Sequence, residues 1–281
     1  MGPSAIRVAD LNARLRSLGY EVEDAGNVAV AIPEMMPFGN RRAKYLKEVA
    51  QTCKRVARQV TAALRRGFAP LVLGGDHSIA IGTVGGVSKF FQERGKRIGL
   101  IWIDAHADMN TPQTSPSGNI HGMPLACCVG LGPRELTHLE GYAPLVRPEN
   151  VALVGVRDVD VLEKPHVRHS GVRAFTMRHI DERGMRAVME EAIQIASEDT
   201  AGFHVSLDMD FIDPAEAPGV GTPIRGGGTY RETHLALEML SDTGRMTSME
   251  VVEVNPILDE ENRTARLAVE LAMSAFGKRI L

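Results

Sequence analysis

The chain has 281 residues, a formal net charge of −3, 44% hydrophobic residues and 24% charged residues. That balance supports a large buried core, excludes disorder as the general state and lacks the basic excess that nucleic-acid binding needs. Apolar runs such as Ile98–Ile103 fall far short of the roughly 18 residues of a membrane span. The first ten residues lack the basic and apolar regions of a secretory signal. Three cysteines (Cys53, Cys127 and Cys128) form neither a CxxC nor a disulfide framework, which fits a reducing compartment. The expectation is a soluble, cytoplasmic α/β protein with one domain over residues 1–281, no nucleic-acid partner and no membrane.

In chain order, Val28–Ile32 is a weak strand candidate. Leu46, Val49, Cys53, Val56, Val60 and Leu64 recur at three- and four-residue steps, predicting a helix with Cys53 on its core face and Gly67 as C-cap. Continuous, β-branched runs predict strands buried on both faces at Ala69–Leu73, Ile98–Ile103, Val151–Val156, Phe203–Leu207 and Met249–Val254. Between them, Thr111–Gly118 reads as a site loop, and Cys127-Cys128 as an inert apolar pair. Glu182–Ser197, Arg231–Leu240 and Glu260–Phe276 read as helices, with Thr229 and Glu232 at capping-box spacing. Alternating strands and helices predict a mostly parallel sheet covered on both faces.

Most of these strands run into acids or imidazoles. Ala69–Leu73 leads to Gly74-Gly-Asp-His-Ser78, Ile98–Ile103 to Asp104-Ala-His-Ala-Asp108, and Phe203–Leu207 to Asp208-Met-Asp210. Ligands bind beyond the carboxyl ends of strands in open parallel sheets, so His77, Asp104, His106, Asp108, Asp208 and Asp210 should converge. Alternation along an extended chain is expected to turn Asp104, His106 and Asp108 to one side, and likewise Asp208 and Asp210. Carboxylates packed this closely repel one another unless cations neutralise them. Two imidazoles and four carboxylates without a thiolate favour Mn²⁺ over structural Zn²⁺. Six ligands suit two ions, a pair able to hold a bridging hydroxide at neutral pH. His121 lies on a loop suited to proton transfer, and Glu253, near the end of an apolar strand, needs a cationic partner. The other histidines, His204 among them, read as surface or core residues.

These motifs resemble those of the arginase (ureohydrolase) family, and the resemblance runs from Gly2-Pro-Ser-Ala-Ile-Arg7 to Phe276-Gly277. It implies a three-layer α/β/α arginase-like fold and two Mn²⁺ per subunit. By that resemblance His77, Asp104, Asp108 and Asp208 hold one ion, and Asp104, His106, Asp208 and Asp210 the other. The implied reaction is hydrolysis of a guanidino group to urea by a bridging hydroxide. Asp210 would orient the nucleophile, His121 would shuttle protons and Glu253 would pair with the guanidinium. The loop carrying Asn110, Ser115 and Ser117 resembles one that binds an α-carboxylate; Asp160 and Glu163 would face the α-ammonium, and the Gly221-Thr222-Pro223 segment agrees with the family. The implied substrate is L-arginine, with agmatine or another guanidino compound as the alternative. Homo-oligomers, trimers or hexamers, are usual in the family. The family's first strand, inside its sheet, has no counterpart in this sequence, so a gap or an unpaired edge is expected. A catalytically weak or inactive subunit is the corresponding reading from another class.

Overall fold

A computed structural model describes residues 1–279. The continuous β-branched runs fold into strands because each residue can bury its side chain on one of two covered faces. Those strands are β1 (Leu71–Leu73), β2 (Gly99–Ile103), β3 (Val151–Val156), β5 (Phe203–Asp208) and β6 (Met246–Val252), and β4 (Arg173–Thr176) joins them. The sheet order is β1-β6-β5-β2-β3-β4, and every pairing is parallel.

Alternation along the strands divides the core in two. Ile101, Ile103, Val205, Leu207, Met249 and Val251 pack with the helices Met177–Ser197, Tyr230–Asp242 and Arg263–Ala275. On the other face, Leu100, Trp102 and Leu153 pack with the helices Leu46–Arg65 and Ala80–Gln92. The result is the three-layer α/β/α arrangement. The two helices of the second face touch backbone to backbone: a Cβ on Gly82 would lie 2.5 Å from the Cys53 carbonyl oxygen, and one on Gly86 2.6 Å from that of Ala57. The expected capping box is present, Thr229 and Glu232 bonding reciprocally at the start of the Tyr230–Asp242 helix.

Val28–Ile32 is not a strand. Val30 and Ile32 are 65% and 57% exposed. A β-branched run becomes a strand only where a partner backbone lies within hydrogen-bonding reach, and no described strand flanks this one. The sheet instead ends at β1, whose outer edge has no strand beside it among the described residues. Val28, Val30 and Leu71–Leu73 all line a groove of about 1010 Å³.

Parallel register aligns the strand ends. Ile103 lies opposite Leu207 and Val154, Leu207 opposite Val251, and Val251 opposite Leu73. The residues that follow, Gly74–His77, Asp104–Asp108, Asp208–Asp210 and Glu253, therefore leave the sheet on one side.

Candidate metal centre and substrate cleft

Three of these exits share one local device. The carboxylate of Asp76 accepts the Ser78 N–H at 2.9 Å, Asp104 accepts that of His106 at 2.7 Å, and Asp208 accepts that of Asp210 at 2.8 Å. Each is an Asx turn, an aspartate capping the backbone two residues on. The pleat alternation expected from spacing is therefore not what gathers the side chains. The chain bends after β2, Asp108 takes a left-handed φ of 51°, and Met209–Phe211 forms a 3-10 turn. Asp-x-His and Asp-x-Asp converge because the first aspartate pulls the second ligand's amide back towards itself.

Five of the six residues meet in two overlapping sets, His77 with Asp104 and Asp208, and Asp104 with His106 and Asp210, and Asp108 adjoins the first through His77. His77 Nδ1 lies 3.3 Å from Asp104, 3.1 Å from Asp108 and 3.1 Å from Asp208, and His106 Nδ1 lies 3.0 Å from Asp210. All except His106 are buried. Burial, and then the Asp104 charge, pushes Asp108 up to about 7. Burial, and then the charges of Asp210 and Asp104, raises Asp208 well above the carboxylate range. Burial opposes charge on His106, yet Asp104 and Asp210 push it up to about 12. The cluster is thus short of positive charge and draws protons to make it up. His77 Nδ1 and Asp108 Oδ2 are buried without a hydrogen-bond partner. These orphaned lone pairs and the nitrogen–oxygen donor set fit a hard or borderline divalent cation.

A cleft of about 120 Å³ opens beside the cluster, lined by His106, Asp108, Asn110, Ser115, Ser117, His121, Asp160 and Glu163. Asn110 Nδ2 donates to Asp160 at 2.8 Å, holding the β2 and β3 loops together. Glu163 accepts the Met109 and Asp160 backbone N–H groups at 2.7 and 3.1 Å, so both its oxygens organise these loops. Burial nevertheless raises its pKa to about 7. Thr222 Oγ1 donates to Asp210 at 3.1 Å. Glu253 stands just past β6 at a left-handed φ of 65° and accepts the His77 N–H at 2.7 Å. Its Oε1 lies 3.9 Å from His121 Nδ1. Burial, and then the Asp76 charge, pushes Glu253 up to about 8. All the residues singled out in the sequence thus lie in the cluster, on the cleft or in contact with one of them.

Comparison with known proteins gives a match to the arginase family over residues 1–277. The chain belongs to the arginase family. It is 51% identical to the arginase of Bacillus caldovelox and 50% identical to that of Brevibacillus brevis, in each case over 100% of this chain and 93% of the relative. The solved native structure of the Bacillus caldovelox arginase superposes with a TM-score of 0.96, covering 100% of this chain and 93% of that one.

Within this arginase-family site the sequence reading missed four supporting residues and gave a fifth, the buried His204, no role at the site. Trp102 Nε1 donates to Asp104 at 2.9 Å while its ring stacks on His77, centroids 4.2 Å apart. Arg157 donates to the carbonyls of Asp210 at 2.7 Å, Phe211 at 3.0 Å and Ile224 at 2.7 Å, tying the Met209–Phe211 turn to the segment after Thr222. Ser206, Glu250 and His204 form a buried polar line beneath His77, although His204 read as an ordinary core or surface histidine. Arg157 had a legible signal, a cation directly following an apolar strand that ends at the acidic crevice. The other four look like routine strand residues until the register is known.

Proposed function

We propose that this protein is an arginase, hydrolysing the guanidino group of L-arginine to L-ornithine and urea on a site that holds two Mn²⁺. The observation that carries this reading is the double ligand set sharing Asp104, with orphaned lone pairs on His77 and Asp108, beside a cleft lined by amides, hydroxyls and acids. In this reading His77, Asp104, Asp108 and Asp208 hold one ion, and Asp104, His106, Asp208 and Asp210 hold the other. When bound, the ions supply Lewis acidity and let water act as a nucleophile at neutral pH.

The chain's own residues do the rest. Glu253 pairs with the substrate guanidinium, the cation that its buried carboxylate lacks. Asp210, steadied by Thr222, orients the attacking water by hydrogen bond. Water adds to the guanidino carbon, the bond from that carbon to the ornithine nitrogen breaks, and His121 delivers a proton to the departing amine. Asn110, Ser115 and Ser117 offer neutral donors to the α-carboxylate, while Asp160 and Glu163 offer negative charge to the α-ammonium. A cytoplasmic homo-oligomer, trimer or hexamer, belongs to the same reading, and the three buried free thiols support a reducing compartment.

Urea release from L-arginine and from agmatine, measured separately after Mn²⁺ loading, tests this. Faster turnover of L-arginine is expected. Preference for agmatine overturns the substrate, and no urea from either overturns the enzymatic reading in favour of an inactive subunit.

A further inference from the structure

Glu250 and His204 are both 0% exposed, in the middle of a sheet, where an apolar pair would be the ordinary solution. Side chains on β5 and β6 alternate, so Val205, Leu207, Met249 and Val251 enter one core while His204, Ser206, Ser248 and Glu250 share the opposite face. Parallel register sets Ser206 against Glu250 and His204 against Ser248. The contacts then run in a line. His77 Nε2 is 2.8 Å from Ser206 Oγ, Ser206 Oγ donates to Glu250 Oε1 at 2.8 Å, and Glu250 Oε1 lies 3.5 Å from His204 Nε2. His204 Nδ1 in turn meets Ser248 Oγ at 2.8 Å.

Hydrogen-bond direction gives this line a purpose. An ionised carboxylate only accepts, so the single Ser206 O–H is committed to Glu250. Ser206 then has only lone pairs for the histidine, and His77 must carry its proton on Nε2. In the neutral ring that leaves the Nδ1 lone pair to face Asp104, Asp108 and Asp208, the tautomer that metal binding requires. Without Glu250 the hydroxyl is free to turn and donate to Nε2, which moves the ring proton to Nδ1, into the cluster.

We propose that Glu250, with His204 as its buried companion, is a positioning residue that fixes the tautomer of His77 through the Ser206 hydroxyl and so sets the metal affinity of the site. The inference rests on the two-metal reading above. Its test is Mn²⁺ titration of the metal-stripped protein, following the electron paramagnetic resonance signal of free Mn²⁺, with the melting transition of each metal-free variant as the check on folding. Glu250→Leu and Ser206→Ala should each weaken one of the two equivalents roughly 10- to 100-fold, the usual effect of losing a partner behind a metal-bound histidine. The double variant should be no weaker than the weaker single one, because both break the same line. Glu250→Gln, which keeps an acceptor oxygen, should recover most of the affinity.

If the unsubstituted protein binds two ions and Glu250→Leu or Ser206→Ala binds them as tightly, the inference fails and the metal reading stands. Losses that multiply in the double variant also overturn it. If Glu250→Leu does not fold, Ser206→Ala decides, since a 10-fold weakening is still required of it. A protein that binds no Mn²⁺ at all overturns the metal reading, and this inference with it.

Discussion

Glu253→Gln separates what the site costs the fold from what it does for the substrate. Glu253 ionises near pH 8 in the folded chain against an ordinary value of 4.5. At 1.36 kcal/mol per pH unit, ionising it inside the metal-free protein costs about 5 kcal/mol more than in the unfolded chain. Because the folded value is the higher one, Glu253's contribution to stability is intact below about pH 4.5, declines as pH rises, and is fully lost above about pH 8. Glutamine does not titrate, and its oxygen can still accept the His77 N–H. The stability curves of the two metal-free proteins, from urea denaturation between pH 4.5 and 8, should therefore diverge in favour of the variant, with about 5 kcal/mol as the ceiling. Metal-loaded activity should move the other way. Losing a charge-assisted bond to a guanidinium removes about 1.5–3 kcal/mol, or roughly 10- to 150-fold in kcat/KM for L-arginine. Parallel stability curves would refute the burial argument, and an unchanged kcat/KM would refute the guanidinium pairing.

Two further outcomes follow from residues outside the metal cluster. Arg157→Lys replaces a fork bonded to three carbonyls by a single nitrogen, and it should destabilise the protein by roughly 1–3 kcal/mol in urea denaturation; an unchanged midpoint refutes the latch. Val30→Lys puts charge into the groove beside the β1 edge, and it should slow aggregation in light scattering while shifting stability by no more than about 0.5 kcal/mol. Unchanged aggregation would show that this edge is not the one that associates.

The six candidate metal ligands were legible because buried parallel strands announce themselves as β-branched runs, and the acids follow directly on their ends. The way they converge was not, since an Asx turn depends on φ and ψ that spacing alone does not reveal. The Ala80–Gln92 helix was hidden by Gly82, Gly85 and Gly86, poor helix formers, of which Gly82 and Gly86 let another helix approach. β4 was hidden by its four residues, Arg-Ala-Phe-Thr, too short and mixed to show a period. Val28–Ile32 misled in the opposite direction, having strand composition without a partner. The Glu250–Ser206–His77 line needed register, which decides which polar residues of neighbouring strands meet.

The Asx turns at Asp104 and Asp208 have a consequence for metal binding. Each aspartate is fastened to the amide two residues on, and Asp104 is also held by Trp102, so protein contacts alone fix these carboxylates. The conformational entropy of these loops, about 1–2 kcal/mol per residue fixed, is lost during folding rather than during loading. A metal docking at these carboxylates would therefore have little loop ordering left to impose.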